Sequence, residues 1–301
     1  MVGHIIFGLL KGFLSIFLVV NAIFFIFQVI PGDPARIIAG ENASEEQIEK
    51  IRSELGLNLP LHQRYKNTIL SLMKLDFGKS MYKQVEIKDV LMQRLVNTFK
   101  LALFTVFLVL VESLILFYLY VIFRRFESSI TGVATFIYSI PNFWLGIILI
   151  IIFSVKLKIL PMSGYEGLKS LILPSVTLSL SLSVVLSRFM KNSAEQIINS
   201  DFARFLKAKG VYGLRFYMHI FKAVLPTIIT VLGLQIGVLL SGTVITENVF
   251  SFPGIGSFMV ESVLSRDMPA VVSSVFIVSS IWVIVNLIVD ILVKFSDPRL
   301  R

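Results

Sequence analysis

Apolar residues in this chain gather into long unbroken runs, and polar residues gather between them. Six runs reach the roughly 20 residues that a helix needs to cross a bilayer: about 5 to 30, 99 to 123, 130 to 155, 171 to 190, 224 to 246 and 271 to 293. The pattern predicts an all-α membrane protein with six transmembrane helices and both termini on one side. The first run is too long for a cleaved leader and has no small-residue cleavage site before Pro31, so it is expected to be retained as a span. Residues 31–98 are the longest interruption between the spans, and they read as ordered helix. Ser44 and Gln47 have capping-box spacing, Ile48, Ile51 and Leu55 share a face, and Gly56 closes that helix. A second helix is expected from Pro60, at a first-turn position, to Leu75, before the turn Asp76-Phe77-Gly78.

Charge orients these elements. Arg124 and Arg125 follow span 2. Arg188, Lys191, Arg204, Lys207, Lys209, Arg215 and Lys222 surround the connection after span 4, and Lys294, Arg299 and Arg301 lie in the tail. All fall on one side, which the positive-inside rule assigns to the cytoplasm. Residues 31–98, with nearly balanced charge, then form an extracytoplasmic helical region, 99–293 a five-helix core, and 294–301 a cytoplasmic tail. The expected location is the inner (cytoplasmic) membrane, with lipid as surrounding partner.

With 55% hydrophobic and 16% charged residues, the chain is too apolar for a soluble globule. Its net charge of +9 has no separate basic domain to carry it, so topology rather than nucleic acid explains the excess. Zero cysteines, and His4, His62 and His219 far apart in sequence, give no readable metal site, thiol chemistry or disulfide. No Gly-x-x-x-x-Gly-Lys-Ser/Thr loop is present to cradle a nucleotide phosphate. The reading is a non-enzyme without a cofactor of its own.

Ser200 to Pro226 is the most distinctive polar stretch. Ser200 or Asp201 can cap a short helix and Gly210 can end it in the left-handed conformation. Asp201 sits at the positive end of the helix dipole and Lys207 and Lys209 at the negative end. Phe202, Phe205 and Leu206 form an apolar patch. A short helix with exposed aromatics and basic tips, held between spans, suits pressing into another protein; a basic loop that only fixes topology is the plainer account.

Inside the spans the polar and small residues stand out. Ser175, Ser179, Ser183 and Ser187 recur every four residues in span 4, and Gly233, Gly237 and Ser241 do so in span 5, so each set lies along one helix face. Such faces pack helices closely or line a wet path. Glu112 stands near the middle of span 2, where a charge must face protein or water or be protonated; it belongs to a pathway or to a buried hydrogen bond. Asp290 and Lys294, one turn apart, are expected to pair locally. Pro141, between Ser139 and Asn142, breaks span 3, and Glu247-Asn248 opens a turn-rich segment to Gly256 that can dip back as a gate. Candidate pathway residues are Glu112, Ser139, Pro141, Asn142, Ser179, Ser183, Gly237, Ser241, Glu247 and Asn248.

The ordered set Pro31-Gly32-Asp33-Pro34-Ala35, Glu45-Glu46-Gln47-Ile48, Leu55-Gly56-Leu57, Asp76-Phe77-Gly78, Leu173-Pro174-Ser175, Asp201 through Gly210, Thr230 through Gln235, Glu247 through Gly256, Arg266-Asp267-Met268-Pro269 and Asp297-Pro298-Arg299 runs almost end to end. It resembles the membrane subunits of binding-protein-dependent ABC importers of the peptide and nickel class. The resemblance implies the ABC type I importer permease fold, with an extracytoplasmic helical insertion between helices 1 and 2. It also implies a second permease subunit, expected to be a different chain, two ATPase subunits that bind ATP and magnesium, and an extracytoplasmic solute-binding protein.

In that family the loop between spans 4 and 5, here 191–225, carries the EAA signature, whose helix docks on the ATPase. Asp201, Phe202, Ala203, Arg204, Phe205, Leu206, Lys207, Ala208, Lys209 and Gly210 take that place, with Arg204-Phe205-Leu206 where the general signature has Glu-Ala-Ala. The implied cargo is a peptide, with nickel or a metal chelate as the alternative. An ion-coupled secondary transporter would call for charged or unwound sites in repeated halves, and an intramembrane hydrolase for a nucleophile and base. The sequence offers one mid-span acid, Glu112, and neither set.

Overall fold

The computed structural model describes residues 2–40 and 42–296; the side chains of 2–6, 121, 122, 124, 238, 240–242 and 293–296 lie outside the description. Among the described residues the chain is helical, with no strand and one isolated bridge, between Lys79 and Glu86. The helices are α1 (Val2–Val29), α2 (Pro34–Ala39), α3 (Glu45–Glu54), α4 (Leu61–Met73), α5 (Ile87–Ile122), α6 (Glu127–Ser139), α7 (Asn142–Leu149), α8 (Lys169–Ile198), α9 (Asp201–Ala208), α10 (Gly213–Val249), α11 (Ile255–Leu264) and α12 (Met268–Ser296).

Five helices, α1, α5, α8, α10 and α12, are long and apolar enough to cross a membrane, and α6 with α7 makes a sixth if counted as one broken span. The break is the one expected at Pro141. The two pieces are bent by 94°, because proline has no N–H to donate and pushes the residue before it out of helical geometry. Ile140 is accordingly extended at φ −74 and ψ 125, and α7 then loosens into a π-helical stretch at Ile150–Lys156.

Several boundaries differ from the hydropathy reading. α5 begins a dozen residues before its apolar run and α10 begins at Gly213, well ahead of residue 224. Hydropathy detects the lipid-facing length, whereas a helix continues as long as one face has something to pack against. Ile87 and Leu91 are buried with Ile255, Phe258 and Ala270, and Phe216, Ile220 and Val224 lie at four-residue spacing in a buried cluster. Pro60 is not in the first turn of α4: it precedes the helix at the cap position, with φ −54 and ψ 143. That helix stops at Met73 rather than Leu75, whose φ is +55. Helices α2 and α11 were not foreseen; Asp33 Oδ1 caps α2 by accepting from the Ala35 N–H at 3.0 Å.

The packing divides into two compact units, residues 1–99 with 253–284, and residues 100–252 with the chain from 285 onward. In the first, Val20, Phe24, Leu72, Met268 and Val272 form one core and Ile87, Leu91, Ile255, Phe258 and Ala270 another. The capping box of α3 is complete: Ser44 Oγ accepts from the Gln47 N–H at 3.3 Å and Gln47 Oε1 accepts from the Ser44 N–H at 2.9 Å. Gly56 follows at φ +65, the left-handed conformation that glycine adopts without steric cost. Buried Asp267 starts α12. Its carboxylate accepts from Ser80 Oγ, from the Tyr82 N–H at 3.4 Å and from the Ala270 N–H at 3.3 Å, which explains why the Arg266-Asp267 motif needs an acid. Arg266 itself donates to the carbonyls of Ile30 at 3.2 Å and of Pro31.

In the second unit one core joins Val109, Leu186, Met190, Ala194, Ala203, Leu206 and Phe216, and the other joins Leu101, Leu171, Leu178, Leu239, Phe250 and Phe252. Gly233 packs α10 against α12 so closely that a Cβ there would overlap Val289 Cγ1. Close helix packing is therefore the role of this small residue.

Candidate functional site

Helix α9 is a two-turn helix between the ends of α8 and α10. Its C-terminus closes as the sequence predicts: Gly210 lies at φ +76, its N–H donates to Lys207 O at 3.0 Å, and the Val211 N–H donates to Leu206 O at 3.0 Å. This pair of bonds is a Schellman closure, and it satisfies carbonyls that the helix end would otherwise leave open. The N-terminus differs from expectation. Ser200 occupies the cap position with extended backbone, but its side chain does not cap; Ser200 Oγ instead donates to Ile197 O at 2.6 Å, at the end of α8. Asp201 is the first helical residue and accepts from Arg204 at 3.3 Å, both of them solvent-exposed.

The apolar residues of α9 divide between two faces. Ala203 is 1% and Leu206 7% exposed, both inside the cluster that holds Met190 and Ala194 of α8 and Phe216 and Ile220 of α10. Leu206 thus leaves the outward patch to which its sequence spacing assigned it. Phe202 and Phe205 remain outward, Phe205 at 54% exposure, and the exposed side chains of Tyr212, Leu214, Tyr217 and Met218 follow in sequence. The basic residues hold aromatic faces: Lys209 Nζ lies 4.5 Å from the Phe205 ring centroid and Lys207 Nζ 5.4 Å from that of Phe216. The result is a helix rooted on its inner side in α8 and α10 and presenting aromatics and the exposed Arg204–Asp201 ion pair on its outer side. Exposed large apolar side chains of this kind mark interaction surfaces.

The second candidate locus lies within the apolar helices. Ser179 Oγ donates to Glu112 Oε1 at 2.8 Å, so the mid-span acid has the neighbouring-helix partner that one of its two readings requires. Among the described residues Glu112 Oε2 is buried without a hydrogen-bond partner. Glu112 and Ser183 also border a cavity of about 430 Å³, whose other walls, including Leu116, Val133, Ile137 and Leu180, are mostly apolar. An apolar chamber with a carboxylate at its edge can hold a solute that combines apolar and hydrogen-donating groups. The remaining serines of the α8 face, Ser175 and Ser187, are buried, Ser187 donating to Val184 O at 2.9 Å.

Ser139, Pro141, Asn142, Gly237, Glu247 and Asn248 are not among the described walls of this cavity. Ser139 donates to Phe136 O at 2.7 Å, and Pro141 and Asn142 stand at the 94° break. Gly237 lies within α10, and the side chain of Ser241 is outside the described residues. Glu247 is 0% exposed, whereas Asn248 is exposed and donates to Val244 O at 2.7 Å. The Lys294 side chain, expected to pair with Asp290, also lies outside the description.

Gln235 was missed as a site residue. Its Nε2 donates to Leu182 O at 2.8 Å, and among the described residues its Oε1 is buried without a partner. The available signal was a lone glutamine inside an apolar run. Arg188 was read only as a charge; it reaches Thr135 Oγ1, and among the described residues its buried Nε has no partner.

Comparison with known proteins adds an independent line. Residues 114–301 match the family model for the binding-protein-dependent transport system inner membrane component, and residues 1–102 match the model for the N-terminal part of such membrane components. The chain is 32% identical over 311 residues to the glutathione transport system permease protein GsiC of Escherichia coli (strain K12), covering 100% of this chain and 99% of the relative. It is 33% identical over 292 residues to the probable peptide ABC transporter permease protein y4tP of Sinorhizobium fredii, covering 93% of each. Agreement of this extent, with helices long and apolar enough for an integral membrane subunit, assigns the chain to the inner membrane components of binding-protein-dependent transport systems, as a permease subunit of an ABC importer of the peptide and nickel class.

Proposed function

We propose that this permease forms half of the translocation pathway of a peptide importer and is driven through α9 by separate ATPase subunits. In this reading six spans cross the membrane, with α6 and α7 as one broken span, both termini face the cytoplasm, and residues 31–98 form the extracytoplasmic helical region. The complete machine has a second permease subunit, two ATPase subunits that hold ATP and magnesium, and an external solute-binding protein. The names of the relatives, glutathione transport and peptide transport, favour a peptide-like cargo over nickel or a metal chelate.

The observation that carries the coupling reading is the two-sided build of α9. Its inner residues Ala203 and Leu206 belong to the same buried cluster as Met190, Phe216 and Ile220, while its outer residues are exposed. A partner that moves the outer face must move the ends of α8 and α10 with it, because a close-packed cluster transmits displacement instead of absorbing it. ATP-driven closure of the partner subunits then becomes rotation of these two helices and an exchange of outward and inward openings. The cavity beside Glu112 belongs to the moving pathway in this scheme.

The direct test is charge reversal on the outer face. Arg204→Glu combined with Lys207→Glu, in the reconstituted complex, should reduce both transport and stimulated ATP hydrolysis. Undiminished stimulation would remove α9 from the coupling route. Identifying what the cognate external binding protein captures separates peptide from metal cargo without altering this chain.

A further inference from the structure

In the unit formed by residues 1–99 with 253–284, a cavity of about 310 Å³ lies among α4, the α3–α4 connection, the turn at Asp76-Phe77-Gly78 and the first turns of α12. It has room for roughly ten water-sized groups. Leu57, Leu72, Phe77 and Val272 supply apolar wall, and Asn67, Ser71 and Ser273 supply hydrogen-bonding groups. Arg64 lines it as well, and this side chain differs from the other arginines of its unit.

Arg36 pairs with Glu45 at 2.6 Å, Arg52 with Asp33 at 2.5 Å and with Glu49, and Arg94 with Glu261 at 3.8 Å. Arg266 has the two carbonyls at the end of α1. Among the described residues Arg64 has no carboxylate within ion-pair distance, and its side-chain hydrogen bond is to the thioether of Met268, 3.9 Å from Nη2. A guanidinium carries five N–H donors and a thioether is a weak acceptor, so most of its donor capacity is not met by that contact. Arg64 is also half-buried, and burial pulls its pKa below the usual arginine value with no acid opposing the shift. It nevertheless stays charged at neutral pH. Asp76, also on the cavity wall, is exposed and accepts from the Gly78 N–H at 3.1 Å, and the exposed Lys79 on the same wall is paired with Glu86 at 3.8 Å.

Arg64 thus has guanidinium donors left over at the edge of a cavity with both apolar and hydrogen-bonding walls, the combination that an anion with an apolar stem would match. We propose that this cavity binds an anionic head carried on an apolar stem, with the Arg64 guanidinium on the anion and Leu72, Phe77 and Val272 around the stem. The head is supplied either by a small free carboxylate or by the headgroup of an anionic phospholipid. None of its lining residues lines the Glu112 cavity, and the proposal does not depend on which cargo the importer carries.

The test uses the full chain in phosphatidylcholine nanodiscs, titrated calorimetrically with hexanoate and with its neutral counterpart hexanamide. Hexanoate should bind saturably and hexanamide at least about tenfold more weakly, since charge-assisted hydrogen bonds to guanidinium are lost. Arg64→Gln should weaken hexanoate binding by a similar factor, and Arg64→Lys, which keeps charge but not the planar fork, should fall between.

Repeating the titration with increasing phosphatidylglycerol distinguishes the two sources. Competition that disappears in Arg64→Gln identifies lipid as the occupant, and unchanged affinity identifies a soluble carboxylate. Equal binding of acid and amide, no saturable binding of hexanoate or phosphatidylglycerol, or full binding by a folded Arg64→Gln chain would each overturn the proposal. The acid and amide comparison on the unaltered chain remains decisive if that variant does not fold.

Discussion

Phe205 and Leu206 are adjacent, apolar and similar in size, yet the structure predicts opposite consequences for their removal. Phe205 is 54% exposed and Leu206 7% exposed. A phenylalanine enclosed on all sides buries about 200 Å², so Phe205 leaves about 100 Å² exposed, which at about 25 cal/mol per Å² would contribute about 2.5 kcal/mol to the docking proposed above. Phe205→Ala should therefore weaken association of the ATPase subunits with the reconstituted permease by up to about 60-fold, with a smaller loss if Lys209 continues to cover part of the ring. Its melting temperature should not change.

Leu206→Ala acts on the other side of the helix. It opens a space in the cluster with Phe216 and Ile220 and should cost about 2 to 5 kcal/mol of local stability, seen as a lower melting temperature and loss of hydrogen-exchange protection across Asp201–Ala208. The assay pair is ATPase affinity for nanodisc-embedded permease and thermal unfolding of the same preparations. If Phe205→Ala bound ATPase as well as the parent chain, or if Leu206→Ala melted normally, the inward and outward division of α9 would not be what couples the subunits.

Two further perturbations test the packing. Gly233→Ala should destabilise the chain by about 1 to 3 kcal/mol by forcing a methyl into the stiff side chain of Val289; Val289→Ala in the same chain should recover much of that loss, and additive losses in the double-mutant cycle would show that the two do not touch. Asp267→Ala removes the acceptor shared by Ser80, Tyr82 and Ala270 and should cost at least about 3 kcal/mol, measured by thermal unfolding, because buried donors are left unpaired. Asp267→Asn keeps one acceptor oxygen and should lose less.

The apolar runs, the capping box at Ser44 and Gln47, the glycine closures at Gly56 and Gly210 and the break at Pro141 were all legible from the chain alone. Each depends on interactions within a few residues of its own position, or on the solvent that a whole segment requires, and such forces act the same way in any fold. The family resemblance was legible for a partly related reason: motifs such as Leu55-Gly56-Leu57, Asp76-Phe77-Gly78 and Asp201 through Gly210 sit at such turns and caps, whereas Leu173-Pro174-Ser175 and Thr230 through Gln235 lie inside α8 and α10.

Other properties were set only by the tertiary structure. Spacing alone could not decide that Leu206 turns inward and Phe205 outward, that Glu112 meets Ser179 across 67 residues, or that Asp267 is held by Ser80 across 187. Nor could it show that Arg64, unlike Arg36, Arg52 and Arg94, would lie against a thioether instead of an acid. A long helix offers several faces of comparable polarity, and which face is buried depends on the helices that arrive from distant parts of the sequence. The sequence by itself determined that this chain would be a bundle of membrane helices with a short basic helix between two of them; long-range packing alone decided which side chains that bundle encloses and which it leaves for partners.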